Sequence, residues 1–111
     1  MRTESPLAPQ EHQYDVTVYL VLDDFGRLGR AYRETDESEG DENTIIENLI
    51  NGEYKSPVRV VAFNTDEGWS RDVTEEVALK LLDFSRQGRV LGAAAREFVE
   101  RVTGKAPTVI V

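Results

Sequence analysis

Residues 14–22, YDVTVYLVL, decide how this chain is read. β-Branched and aromatic side chains crowd the segment, and Tyr14, Val16, Val18, Leu20 and Leu22 recur at every second position, the period at which a strand presents one face. The intervening set, Asp15, Thr17, Tyr19 and Val21, is itself half apolar, so the strand is expected in the middle of a sheet with cover on both sides. Asp23, Asp24, Phe25 and Gly26 then form a turn cluster, because aspartate closes an Asx turn and glycine accepts a positive φ. The next segment, Arg27 to Glu34, sets Leu28, Arg30 and Tyr32 against Arg27, Gly29, Ala31 and Arg33. It reads as the weaker, edge-forming arm of a hairpin, whose arginines discourage further strand pairing.

Working outward, a short helix is expected to start at Asn43 or Thr44, with Glu47 three residues after Thr44 in capping-box position. Ile45, Ile46, Leu49 and Ile50 supply its apolar stripe, and Asn51-Gly52 stops it. After Pro57, VRVVAFNT alternates Val58, Val60 and Ala62 with Arg59, Val61 and Phe63, a further strand. Residues 65–71, TDEGWSR, read as a connector, and Asp72 with Glu75 as a capping box opening a longer helix along Val73, Val77, Leu81 and Phe84. Gly88 breaks that helix, and a third runs from about Val90 to Thr103, with Gly104 at its C-terminal cap and Pro107 beyond. The last residues, TVIV at 108–111, form either a short final strand or a frayed end.

A right-handed crossover through the first helix brings the third strand beside the first and gives the sheet order 2-1-3. The fold class expected is α+β: a mainly antiparallel sheet of three strands, extensible to four, in ββαβαα order with its helices packed on one face. Residues 1–13 form a flexible tail, 14–104 a single domain, and 105–111 a C-terminal tail or short last strand.

The 111 residues suit one domain. Cysteine is absent, which removes disulfides, thiolate nucleophiles and cysteine-bearing metal sites; the one histidine, His12, lies in the tail, so a Ser-His-Asp triad lacks its base. The tail, MRTESPLAPQEHQ, carries no apolar run of the kind a secretory signal needs, and Val16 to Leu22 is far short of the ~20 residues of a bilayer span. A cytoplasmic protein without membrane contact is expected. The net charge is −8, and residues 34–53 hold eight acids with no Lys or Arg, so the remainder of the chain is balanced. Such a field disfavours nucleic-acid binding, which works by neutralising phosphates. It suits solvation; the alternatives are a basic partner or mimicry of nucleic acid.

Asp23 and Asp24 are the best local pair of carboxylates for acid/base work, but strand neighbours point to opposite faces, which favours the turn role. An EF-hand register with Gly40 at position 6 puts Thr35 at position 1 and Ile46 at position 12, and both end ligands fail. The stretch Gly26-Arg27-Leu28-Gly29-Arg30 lacks the third glycine of a dinucleotide fingerprint, the lysine of a P-loop and the helix that follows either. No cofactor and no metal are expected. Arg27, Arg30 and Arg33 remain as a candidate anion or partner site, set against a solvated edge strand pairing with local acids. Trp69, Ser70 and Arg71 form the second candidate, since Trp and Arg are enriched at interface hot spots; the competing role for Trp69 is packing onto the core.

The segments VYLVLDDFGRLGRAYRETD and PVRVVAFNTDEGWSRDV, with the helix that follows, resemble a group of small uncharacterised bacterial proteins over roughly residues 14–86. The resemblance implies a bacterial cytosolic origin and a compact α+β fold, and brings no activity, cofactor or catalytic residue. The function expected is a small non-enzymatic interaction or regulatory domain that contacts a protein or small anionic ligand through Arg27, Arg30, Arg33, Trp69, Ser70 and Arg71, with homodimerisation an open outcome. The alternative is a ligand-binding protein or small enzyme using Asp24, Arg30 and Arg71 in a cleft at strand ends.

Overall fold

The computed structural model describes residues 17–33 and 41–107. Strand β1 (Thr17–Asp24) turns through a short 3-10 helix at Gly26–Leu28 into β2 (Arg30–Arg33). Helix α1 (Glu42–Ile50) leads to β3 (Pro57–Asn64) and β4 (Trp69–Asp72), and helices α2 (Thr74–Arg86) and α3 (Ala93–Thr103) close the described chain. All neighbours in the sheet are antiparallel, in the order β2-β1-β3-β4. The expected α+β class, the ββαβαα succession and the central place of the first strand are therefore present. Tyr14 to Val16 of the expected first strand, the acids of residues 34–40 and the TVIV segment lie outside the described residues.

The fourth strand comes from the segment read as a connector. Residues 65–68 make the turn that reverses the chain: Gly68 stands at φ 75° and its N–H donates to the Asn64 carbonyl at 2.8 Å. The Asn64 side chain holds the same turn by accepting from Glu67 N–H at 2.8 Å. Trp69 to Asp72 then pair with Asn64 to Val61.

The helix starts also differ by one to three residues from those expected, the last helix beginning at Ala93 rather than near Val90. Asp41, not Asn43 or Thr44, caps α1, accepting from Thr44 N–H at 2.8 Å, because an N-cap side chain must reach a free N–H two or three residues on. Asp72 stands two residues ahead of Thr74 and accepts from its N–H at 2.9 Å, so it serves the start of α2 from the end of β4. At the other ends Asn51 closes α1, and Gly104, at φ 74°, closes α3 as expected.

The core lies between one face of the sheet and the three helices. From the sheet come Val21, Val60 and Ala62, each fully buried. The helices answer with Ile45 and Leu49, with Val77, Ala78, Leu81 and Leu82, and with Ala95, Phe98 and Val99. The inward face of β1 is thus the set containing Tyr19, Val21 and Asp23, while Val18, Leu20 and Leu22 point away from the helices. Full burial of each such Val, Leu, Ile or Phe side chain contributes about 1.5–3 kcal/mol.

Candidate interaction surface

The two halves of the sequence-predicted surface occupy opposite edges of the sheet. Arg30 and Arg33 lie on β2, and Arg27 in the turn before it; Trp69, Ser70 and Arg71 lie on β4. Strands β1 and β3 stand between them, a separation of about 14 Å at ordinary strand spacing. Asp24, Arg30 and Arg71 do not converge on one cleft for the same reason.

Arg30, Arg33, Trp69 and Arg71 each have a local partner. Arg30 donates to Asp24 at 3.3 Å, and Asp24 closes an Asx turn by accepting from Gly26 N–H at 2.8 Å. That Gly26 N–H, reinforced by the Arg30 guanidinium, holds the Asp24 carboxyl below its usual pKa. Trp69 is half-buried, packs against the core and donates from Nε1 to Glu67 at 2.7 Å. The Arg71 guanidinium sits 5.8 Å from the Trp69 ring centroid and 3.6 Å from Glu76. Trp69 and Arg71 pair with Asn64 and Ala62, so they belong to the helix-facing side of the sheet.

Asp23 and Asp24 point to opposite faces, as strand alternation requires. Asp23 is fully buried, and its carboxylate accepts from Ser56 N–H at 2.6 Å, Lys55 N–H at 2.9 Å and Arg33 Nη1 at 3.2 Å. A register shift between Leu22 and Asp23 brings Pro57 opposite Asp23 and turns the Lys55-Ser56 backbone towards the carboxylate. Arg33 also lies 5.5 Å from the centroid of Tyr54, whose buried hydroxyl has the Asn48 amide beside it but no partner at hydrogen-bonding geometry. Burial pushes the Tyr54 pKa up. The arrangement ties the β3 entry to the end of β1, and Arg33 completes it.

Three of the four described acids of the run are engaged within the chain. Asp41 caps α1, Glu42 pairs with Lys80, and Glu47 pairs with Arg89 through both guanidinium nitrogens at 3.0 and 3.3 Å. Arg89 holds the Glu47 carboxyl below its usual pKa. Residues 34–40 lie outside the described residues. Among the described residues no group of three or more metal-ligating side chains converges, and no helix is long and apolar enough to cross a membrane.

What the sequence reading did not single out is the outer face of the sheet. Val18 pairs with Phe63, Leu20 with Val61, and Leu22 lies between Tyr32 and Arg59. Val18, Leu20, Leu22, Val61 and Phe63 are half-buried, and Tyr32 is 46% exposed. No described helix packs on this side. The charges around the stripe are two pairs, Asp24 with Arg30 and Arg59 with Asp72, each at 3.3 Å. The signal that pointed to this face was the double-sided apolarity of YDVTVYLVL.

No protein-family model, no curated protein and no solved structure matches this chain.

Proposed function

We propose that this protein is a small interaction module that docks a protein partner on the outer face of its sheet, with no catalytic step of its own. A bacterial cytoplasm is the setting the resemblance implies. The supporting observation is the contiguous stripe Val18, Leu20, Leu22, Val61 and Phe63, which lies on the two central strands and is left open by every described helix. A sheet face with one side packed and the other in water normally alternates apolar with polar residues, and β1 departs from that rule. The earlier expectation of an Arg and Trp contact has weaker support, because those residues sit at opposite edges and are engaged in local pairs.

The test compares three tagged full-length chains purified from the native host at low salt. Leu20→Arg is expected to lose the partner that the wild type retains, while the double variant Trp69→Ala/Arg71→Ala keeps it. Loss in the double variant together with retention in Leu20→Arg moves the contact to the β4 edge and overturns the proposal.

A further inference from the structure

We infer that Asn51-Gly52 is a site of spontaneous covalent modification, at which the main chain converts asparagine to aspartate and isoaspartate through a cyclic imide, and that the folded turn at the end of α1 governs its rate. The inference is independent of the docking role proposed above.

Residue chemistry selects the position. Imide formation needs a main-chain nitrogen that reaches the side-chain amide carbon of the asparagine before it, and a side chain on the following residue shields that nitrogen. Of the four asparagines, Asn43, Asn48 and Asn64 are followed by Thr44, Leu49 and Thr65, and Asn51 alone by a glycine. Asn43 and Asn48 lie inside α1, and Asn64 is buried at the end of β3. Asn51 and Gly52 are both exposed, just past the last residue of α1. In the reaction the Gly52 N–H gives its proton to solvent and the nitrogen bonds to Asn51 Cγ; the Cγ–Nδ2 bond breaks and the amide nitrogen leaves as ammonia. Water then opens the five-membered imide at one carbonyl or the other, which leaves aspartate or isoaspartate.

Backbone geometry holds the reaction back. Asn51 stands at φ −83° and ψ 0°. At that ψ the Gly52 nitrogen eclipses the Asn51 nitrogen, whereas ring closure requires it to swing round to Cβ. Gly52 N–H also donates to the Leu49 carbonyl at 3.2 Å, and Glu53 N–H to the Asn48 carbonyl at 2.9 Å. Rotation about the Asn51 Cα–C bond breaks both. Helix ends open more readily than the core, so the reaction runs through the opened turn.

Conversion weakens the junction in which it occurs. A carboxylate at position 51 stands at the negative end of the α1 dipole, and isoaspartate lengthens the main chain by a methylene inside the capping turn. From that turn the chain delivers Tyr54 to the core and then the Lys55 and Ser56 N–H groups to Asp23.

The test keeps the full-length chain in native buffer and, in parallel, in guanidinium chloride at the same mildly alkaline pH, and follows the gain of one mass unit at each asparagine by peptide mapping. In denaturant Asn51 is expected to convert ahead of the other three, and in the native chain to convert about tenfold more slowly or less. Equal rates at Asn51 in the two buffers overturn control by the turn. Conversion in denaturant no faster at Asn51 than at Asn43, Asn48 and Asn64 overturns the site. Wild type refolded after the denaturant incubation is expected to unfold at a lower denaturant midpoint than fresh chain. Asn51→Gln treated identically is expected to hold its midpoint, because the longer side chain closes its ring far more slowly. A midpoint that holds in both chains, or falls equally in both, overturns the coupling of the site to the junction.

Discussion

A carboxylate taken fully out of water needs several donors to offset its lost hydration, and Asp23 finds them in Ser56 N–H, Lys55 N–H and Arg33. Asp23→Ala leaves two backbone donors without their acceptor and is expected to lower stability by about 2–4 kcal/mol, read from urea unfolding followed by circular dichroism. Asp24, one residue on, faces water and responds to pH. Asp24 and Glu47 both have folded-state pKa values below the unfolded ones, so the unfolded chain takes up protons first as the medium is acidified. Their stabilising contribution is present above the unfolded carboxylate pKa of about 4 and is lost as pH falls through the folded values. The fall in unfolding midpoint between about pH 6 and about pH 3 is therefore expected to shrink in the variant Asp24→Asn/Glu47→Gln. The aspartate turn was legible in Asp23-Asp24-Phe25-Gly26. The division of labour was not, since the register shift that buries Asp23 arises on β3, some thirty residues away.

Helices were easier to read than the last strand, for a reason visible in their residues. The stripes of α1, α2 and α3 repeat at helical spacing, and their stops, Asn51-Gly52 and Gly104, are local chemistry. Trp69-Ser70-Arg71-Asp72 carries no such mark: it is short and polar, and becomes a strand because the Gly68 turn returns it to β3. The first two helix caps were misplaced by one to three residues because several Asp, Asn and Thr side chains compete at each start and backbone direction chooses among them. Two predictions belong to this scale. Gly104→Ala puts a side chain at φ 74° and is expected to cost about 1 kcal/mol, measured as a lowered urea midpoint. Phe98→Ala, at the centre of the helix layer and fully buried, is expected to cost about 3–5 kcal/mol in the same assay.

On the scale of the molecule, the helix layer and the open sheet face have different electrical characters. Of the described acids of the run, Glu42 and Glu47 pair with Lys80 and Arg89 on the helix side, and the charges around the open face are paired. Docking on that face relies on apolar burial rather than on ion pairs, so a partner retained at about 50 mM NaCl is expected to stay bound at about 500 mM NaCl, read by the same purification.

The sequence by itself determined the helices and the first three strands, their order and the helix stops, because period, capping residues and glycine conformations are properties of neighbours in the chain. It also showed that YDVTVYLVL is apolar on both sides. Which side faces the helices only the tertiary structure decided. Alternation separates two faces without ranking them when both are apolar, and the ranking came from pairing: Val21 with Val60 inward, Leu20 with Val61 outward. The same pairing parted the Arg and Trp residues that had been read as one surface and exposed in their place a stripe built from two strands distant in the sequence.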